Sequence, residues 1–361
     1  MATQPPEPAA TDRPVAVITG ASSGIGLATA LELAQRDYDI VLAARDKKEL
    51  DKAANQVRDQ NPAALAVTVP TDTTDEKAMQ ALADSTLQRF HRIDVWINDA
   101  GVYLTGKFED IPLEDMRRMF DTNFFGYVYG SRAALAEFRQ AGRGTLINIS
   151  SVNASAPQPY VAVYSASKAA VRALDESLRM ELRLDGLNRD IHVCTVMPAS
   201  IDTNLFQNAG NYTGQELQAL EPVYDPAYVA RQIVKLTTHP KRQIIVGPAG
   251  RLMALQNAHL PGSYERRMSR YTQADLLSQR PATLTDGNLF DTVGSQHSLR
   301  GDWWGQRRHA HQSPTATAAL ATGAVAAAVG LALLGYRSHH PAQRRHHHHR
   351  RHHHLRHAHS L

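Results

Sequence analysis

The sequence predicts a doubly wound α/β fold, in which a single parallel sheet carries helices on both faces. Three observations predict it. Short aliphatic and β-branched runs alternate with longer amphipathic stretches, the pattern of parallel strands joined by helical crossovers. The first run, Val15-Ala-Val-Ile-Thr19, leads through a glycine-rich turn into a helix start. A hydrophobic fraction of 43% with 20% charged residues fits a globular body, and the single cysteine excludes a disulfide-held scaffold.

In chain order, strand 15–19 is ended by Gly20, and helix 25–36 is amphipathic from Leu27 to Gln35. The apolar run 39–44 is a second strand followed by helix 46–60, and 64–69 a third followed by helix 75–90. Strand 93–97 precedes a long helix over 113–140. The run Gly-Thr-Leu-Ile-Asn-Ile makes strand 144–149, which ends in the hydroxyls of Ser150 and Ser151. Helix 164–184 follows. Strand 190–196 encloses Cys194 among aliphatic residues, where it reads as a small buried hydrophobe rather than a redox group. Helix 226–238 and strand 242–247 close the alternation.

Beyond Gly247 the pattern changes. Arg251 to Ala258 and Tyr264 to Tyr271 carry helical spacing, whereas 273–313 holds little periodicity apart from the pair Trp303-Trp304. Thr315 to Tyr336 is an uncharged run of 22 residues, long enough to cross a hydrocarbon core. Trp303, Trp304, Arg307 and Arg308 before it and Tyr336 and Arg337 after it match interfacial anchors. The tail then interleaves histidines with arginines. Its last 25 residues hold six arginines and no acid, so the remaining chain sits at −2 while the whole is at +4. A slightly acidic body gives no footprint for nucleic acid. The expected organisation is a disordered lead-in over 1–13 without a signal peptide, a catalytic domain over 14–250, and an extension over 251–313. A membrane-embedded helix over 314–336 and a basic tail over 337–361 complete it.

The chemistry concentrates in three places. In Tyr164-Ser-Ala-Ser-Lys168 a phenol and an ammonium stand four positions apart on one helix face, where the cation favours phenolate. Ser151 lies just past a strand, at the end of an open α/β sheet where ligands bind. Gly20-Ala-Ser22-Ser23-Gly24-Ile25-Gly26, between a strand and a helix, makes a phosphate site, because small residues admit the ligand and free N–H groups point at it.

Together these motifs resemble the short-chain dehydrogenase/reductase family, over about Pro14 to Gly247. Thr19-Gly20-x-x-x-Gly24-Ile25-Gly26, Asn98-Asp99-Ala100-Gly101, Asn123, Ser151, Tyr164-x-x-x-Lys168, and Pro198 with Thr203 match in order and spacing. Two positions depart: Asp99 stands where the family usually has asparagine, and Ala199 where it usually has glycine. The resemblance implies a Rossmann-like sheet with a helical and irregular C-terminal extension. It implies Tyr164 as acid/base, Ser151 as hydrogen-bond donor to the substrate oxygen, and Lys168 and Asn123 completing a proton route. The cofactor site it implies comprises Gly20, Ser22, Ser23, Gly24, Ile25, Gly26, Arg45, Asp72, Asn98, Ala100, Gly101, Tyr164, Lys168, Pro198 and Thr203, with no metal. A mobile lid between Thr203 and Pro222 and assembly into homodimers or homotetramers are further implications.

Cofactor choice rests on Ala44-Arg45. An acid past the glycines holds the ribose of NAD, whereas an arginine accommodates the phosphate of NADP, so NADP is expected over NAD. The expected activity is hydride transfer between an alcohol and a ketone or aldehyde. Leu205, Phe206 and the apolar C-terminal run point toward a lipophilic substrate and a cytoplasmic catalytic domain held at a membrane. The alternatives are a noncatalytic NADP-binding membrane scaffold, or a lyase or epimerase on the same fold.

Overall fold

The computed structural model describes residues 12–292 and 298–303. Residues 1–11, the apolar run 315–336 and the His/Arg-rich tail therefore lie outside the described residues. None of the described helices is long and apolar enough to cross a membrane.

The chain runs β1 (Val15–Thr19), α1 (Gly24–Ala34), β2 (Asp39–Ala44), α2 (Lys47–Gln60), β3 (Ala66–Pro70), α3 (Glu76–Phe90) and β4 (Val95–Asn98). It continues through β5 (Leu104–Thr105), α4 (Leu113–Phe120), α5 (Gly126–Ala141), β6 (Gly144–Ile149), α6 (Ala162–Leu184) and β7 (Ile191–Pro198). There follow β8 (Gly210–Asn211), β9 (Gln215–Leu217), α7 (Pro226–Thr238), β10 (Gln243–Val246), α8 (Pro248–His259), α9 (Pro261–Asp275) and β11 (Leu277–Pro281). Seven strands form one parallel sheet in the order β10-β7-β6-β4-β1-β2-β3, the doubly wound arrangement that the alternation predicts.

The strands are apolar on both sides because both faces are covered. Ile18, Leu42, Ile147 and Val196 pack with Leu33, Leu50 and Ile233 on one face. Val17, Val41, Trp96 and Leu146 pack with Met79, Leu82, Phe138 and Leu182 on the other. Each fully buried Leu or Ile contributes about 1.5–3 kcal/mol relative to an exposed one. Aspartates begin three helices by accepting backbone N–H groups: Asp46 from Lys48 at 2.8 Å, Asp75 from Lys77 at 2.8 Å and Asp225 from Ala227 at 2.7 Å. Cys194 is buried, and burial pushes its thiol up to about 11.

Three features differ from the sequence expectation. The long helix expected over 113–140 is interrupted at Asp121–Phe125 by a π turn, in which the Gly126 N–H reaches back to the Asp121 carbonyl. Residues expected as a lid carry two short strands that the sequence did not signal: β8 pairs with β5, and β9 with β11 of the C-terminal extension. These pairs are too short for periodicity to reveal. A polar chain also crosses the core. Trp96 Nε1 donates to Asn98 Oδ1 at 2.8 Å, and Asn98 Nδ2 donates to Asn148 Oδ1 at 2.8 Å. Asn148 Nδ2 and Thr195 Oγ1 then donate to Asp175 at 2.5 and 2.7 Å. Burial pushes the Asp175 carboxyl up to about 7 against those two hydrogen bonds.

Candidate active site

The carboxyl ends of β1, β4, β6 and β7 open onto one cleft, and local backbone geometry shapes its floor. Gly20 has φ +70°, and a Cβ there would lie 2.8 Å from the Ala100 backbone, so β1 and the loop after β4 approach as only glycine permits. A Cβ at Gly26 would meet the Gly20 carbonyl at 2.5 Å and Asp99 Oδ2 at 2.9 Å. Thr19 Oγ1 joins the same two segments by accepting the Asp99 and Ala100 N–H groups. The Ser23 side chain makes no cap to α1; of the first-turn N–H groups, that of Gly24 donates to the Ser298 carbonyl at 3.1 Å and that of Gly26 to Asp99, so an anion at this helix N-terminus would take the place of the Ser298 carbonyl. Ser22, Ser23, Gly24 and Ile25 line the cleft, as do Arg45 and Asp72 farther along. Small residues, close backbone and a helix N-terminus fit a dinucleotide pyrophosphate.

At the other end of the cleft, Ser151 caps a short 3₁₀ turn, accepting the Asn153 N–H at 3.2 Å, and it lines the cleft with Tyr164. Burial pushes the Tyr164 phenol up to about 12, opposed by Ser151 and reinforced by Asp99. Lys168 donates to the Ile149 carbonyl at 3.0 Å and to the Tyr127 hydroxyl at 3.2 Å. Its ammonium lies 4.7 Å from the Tyr127 ring centroid and 5.9 Å from that of Tyr164. The four-residue spacing thus sets the cation near the phenol but aims it at Tyr127. In the chain without cofactor, burial outweighs the Ser151 contribution and holds the phenol protonated. Burial also draws Lys168 down to about 8, with the Asp99 charge opposing. Asp99 is pushed up to about 7 by the same desolvation, against Lys168 and a hydrogen bond from the Gly26 N–H.

Ala100, Gly101, Pro198 and Thr203 line the cleft with Ser151, Tyr164 and Lys168, as the sequence expects. Three expected residues sit behind its wall. Gly26 packs against Gly20, Asn98 belongs to the polar chain of the core, and Asn123 is fully buried. Arg45 is not a solvated arginine. Its guanidinium donates to the carbonyls of Asn288 at 2.8 Å and Phe290 at 2.9 Å. Asp72 accepts from the Thr74 N–H and from Arg118, the latter at 3.2 Å.

Several residues escaped the sequence reading. Tyr127 stands four positions past Asn123, so helical spacing alone signalled a shared face. Tyr103 stacks on Tyr164 with centroids 4.6 Å apart and meets Phe206 at 5.1 Å. Met253, Tyr271 and Leu276 reach the cleft from the extension, where helical spacing pointed to helices around Met253 and Tyr271 but not to a place in the site. Trp303 does not touch lipid-facing surface as its flanking position suggested. It is buried against Phe206, its ring N–H donates to the Thr203 carbonyl at 3.0 Å, and its backbone N–H donates to Asp202 at 3.0 Å.

Residues 14–213 match the short chain dehydrogenase family. An oxidoreductase of Bacillus subtilis (strain 168), YxnA, described as uncharacterized, is 33% identical over 320 residues, covering 86% of this chain and 89% of its own. The 11-beta-hydroxysteroid dehydrogenase A of Sesamum indicum is 34% identical over 240 residues, covering 64% of this chain and 67% of its own. Among solved structures, a short chain dehydrogenase/reductase of Burkholderia phymatum in complex with NAD superposes with a TM-score of 0.63 at 25% identity, over 70% of this chain and 96% of its own. Sheet order, the crowded glycine turn and a match running through β8 agree: the chain belongs to the short-chain dehydrogenase/reductase family of oxidoreductases.

Proposed function

We propose that the protein is an NADP-dependent oxidoreductase that interconverts a lipophilic secondary or primary alcohol with its ketone or aldehyde, with Tyr164 as the acid/base. The observation that carries this is that Ser151, Tyr164 and Lys168 line one end of a cleft whose other end is the glycine-rich turn before α1.

When bound, the nicotinamide supplies or accepts the hydride at the carbonyl carbon. The protein's part is the oxygen. Ser151 holds it by a hydrogen bond, the role of a preorganised donor at a developing oxyanion. Tyr164 delivers the proton as charge builds. A phenol near 12 keeps its proton at neutral pH, which suits a donor in the reducing direction. Oxidation needs phenolate and therefore the positive charge of Lys168. Gly20, Ser22, Ser23, Gly24 and Ile25 would hold the pyrophosphate, Asp72 the adenine and Arg45 a ribose phosphate, with Pro198 and Thr203 at the nicotinamide end.

Lipophilic substrates are favoured by the walls facing Tyr164: Tyr103, Val152, Leu205, Phe206, Leu220 and Met253. The Sesamum indicum relative, named as a hydroxysteroid dehydrogenase, supports the same substrate class. Ala44 in place of an acid supports NADP over NAD. Self-association is supported by exposed Phe125 after α4 and Met180 and Leu184 on α6, and light scattering tests it. The composition of 315–336 supports a membrane contact, which deletion of 314–361 followed by fractionation tests. For the activity, NADPH oxidation is measured against a panel of steroidal, retinoid and aliphatic carbonyls beside small polar ones. Turnover only of polar compounds would overturn the lipophilic reading, and no turnover of any carbonyl would overturn the reaction.

A further inference from the structure

The C-terminal segment reaches the adenosine end of the cleft, and Asn288 and Thr292 line it together with Arg45, Asp46 and Asp72. The segment is built to stay there. Gly287 turns with φ +61°, so close to Ala209 that a Cβ would lie 2.4 Å from its carbonyl carbon. The Asn288 N–H donates to the Asn208 carbonyl at 3.0 Å, and Leu289 is fully buried in the cluster with Leu104 and Ala209. Two arginines grip its carbonyls. Arg45 donates to Asn288 at 2.8 Å, to Phe290 at 2.9 Å and to Leu289 at 3.5 Å, while Arg118 Nε donates to Leu289 at 2.9 Å. Arg118 also spans Asp72 and Thr74 and lies over the Phe290 ring at 5.9 Å.

Resting on the reading of Arg45 as the ribose-phosphate site, we propose that residues 288–290 are a cofactor-selecting clasp. A phosphate on the adenosine ribose displaces their carbonyls from Arg45 and opens the segment, whereas a cofactor with a bare ribose leaves it closed.

The physical argument is one of competing acceptors. A guanidinium has five donors in a fixed fork, and three of them, both on Nη1 and one on Nη2, already point at carbonyls, so a phosphate that meets the Nη end of the fork competes with those carbonyls. Hydrogen bonds to an ionised oxygen are roughly twice as strong as those to a neutral one, and phosphate matches the fork in two-point fashion. Desolvation already lowers the Arg45 pKa, so the cation sits where a dianion gains most from reaching it. NAD brings only hydroxyls to the same place. They are neutral acceptors with no such advantage over the carbonyls.

The test is hydrogen exchange at the Asn288 and Leu289 amides of the full-length protein, alone and saturated with NADP⁺ or NAD⁺, beside the two dissociation constants for wild type and Arg45→Ala. The clasp predicts exchange faster by at least about tenfold with NADP⁺ and unchanged with NAD⁺, the scale of losing one strong hydrogen-bonded contact. Leu289→Ala, which loosens the anchor without touching the cofactor groove, should tighten NADP⁺ by about threefold or more and leave NAD⁺ unchanged. If NADP⁺ is preferred through Arg45 but exchange stays the same or slows, the clasp is wrong and the phosphate site stands. If the two cofactors bind alike and Arg45→Ala changes neither, the phosphate site fails and the clasp fails with it. Equal weakening of both cofactors by Leu289→Ala also overturns it.

Discussion

Asn123 holds Val102 by both of its backbone groups: its Oδ1 accepts the Val102 N–H at 2.8 Å and its Nδ2 donates to the Val102 carbonyl at 2.9 Å. The π turn brings the amide to this place, 21 residues from its partner, and Nδ2 also reaches Ser167 Oγ at 3.4 Å. Asn123 therefore fixes the loop between β4 and Tyr103, the ring that packs on Tyr164. Asn123→Ala leaves two buried backbone groups without partners, each at about 1–3 kcal/mol. Urea unfolding should show a loss of about 2–4 kcal/mol on that basis. A change under 1 kcal/mol, within the range of ordinary surface substitutions, would mean that water replaces the amide.

Gly130 gives a prediction whose sign is diagnostic. Replacing a mid-helix glycine with alanine ordinarily stabilises by about 1 kcal/mol. Here a Cβ would lie 2.2 Å from Asn98 Oδ1 and 2.9 Å from both Trp96 Nε1 and Met79 Cε. Gly130→Ala thus forces apart the hydrogen bond that begins the polar chain of the core, and overpacking of this kind costs about 1–3 kcal/mol. A lower urea midpoint is expected. A raised midpoint would show that α5 can move away at little cost.

These two residues mark how far the sequence was readable. Strand order and the alternation followed from hydrophobic periodicity, because each strand is buried on both faces and each helix on one. The proposed catalytic residues Ser151, Tyr164 and Lys168 and the glycine turn followed from spacing, because they are close in the chain or lie at strand ends. The roles of Asn98 and Asn123 did not, because their partners are 50 and 21 residues away and hydrogen bonds between distant buried amides leave no periodic trace. The extension was opaque for the same reason. Its contribution to the cleft comes from single residues: Met253 and Tyr271 on helices whose docking the spacing did not reveal, and Leu276 and Asn288 outside regular elements. Arg45 shows the intermediate case: its residue type was legible, but its capture by carbonyls more than 240 positions later was not.

Asp99 opposes the burial that lowers Lys168 and should therefore shift the alkaline limit of the reaction. Burial lowers Lys168 to about 8, and the Asp99 carboxylate works against that fall. Asp99 itself ionises near 7, so between those values the pair is charged on both sides. Asp99→Asn removes the negative member while keeping an oxygen for the Gly26 N–H. The ammonium then loses its proton at lower pH, and the alkaline limb of kcat/KM for alcohol oxidation, the direction that needs the Lys168 charge, moves down from near 8. Tyr164 shifts in a way that does not produce this limb, since the Asp99 charge raises an already high phenol. An alkaline limb at the same pH in both proteins would sever Asp99 from the chemistry.

Tyr164→Phe isolates the proton. The ring is buried and packs on Tyr103 at 4.6 Å, and phenylalanine preserves that packing, so the unfolding midpoint should hardly change. What is lost is the hydroxyl that lines the cleft with Ser151. A missing acid/base group lowers turnover by about 10² to 10⁴, and at least a hundredfold fall in kcat is expected on that scale. Binding of NADPH, measured by quenching of protein fluorescence, should stay within about threefold, because on the proposed reading the phosphates would be held at the α1 N-terminus, at the far end of the cleft. Loss of cofactor binding together with turnover would make Tyr164 a structural support of the nicotinamide end rather than the donor. Retention of most of the turnover would move the proton to Ser151 or to water, and Ser151→Ala in the same background would then decide between those two.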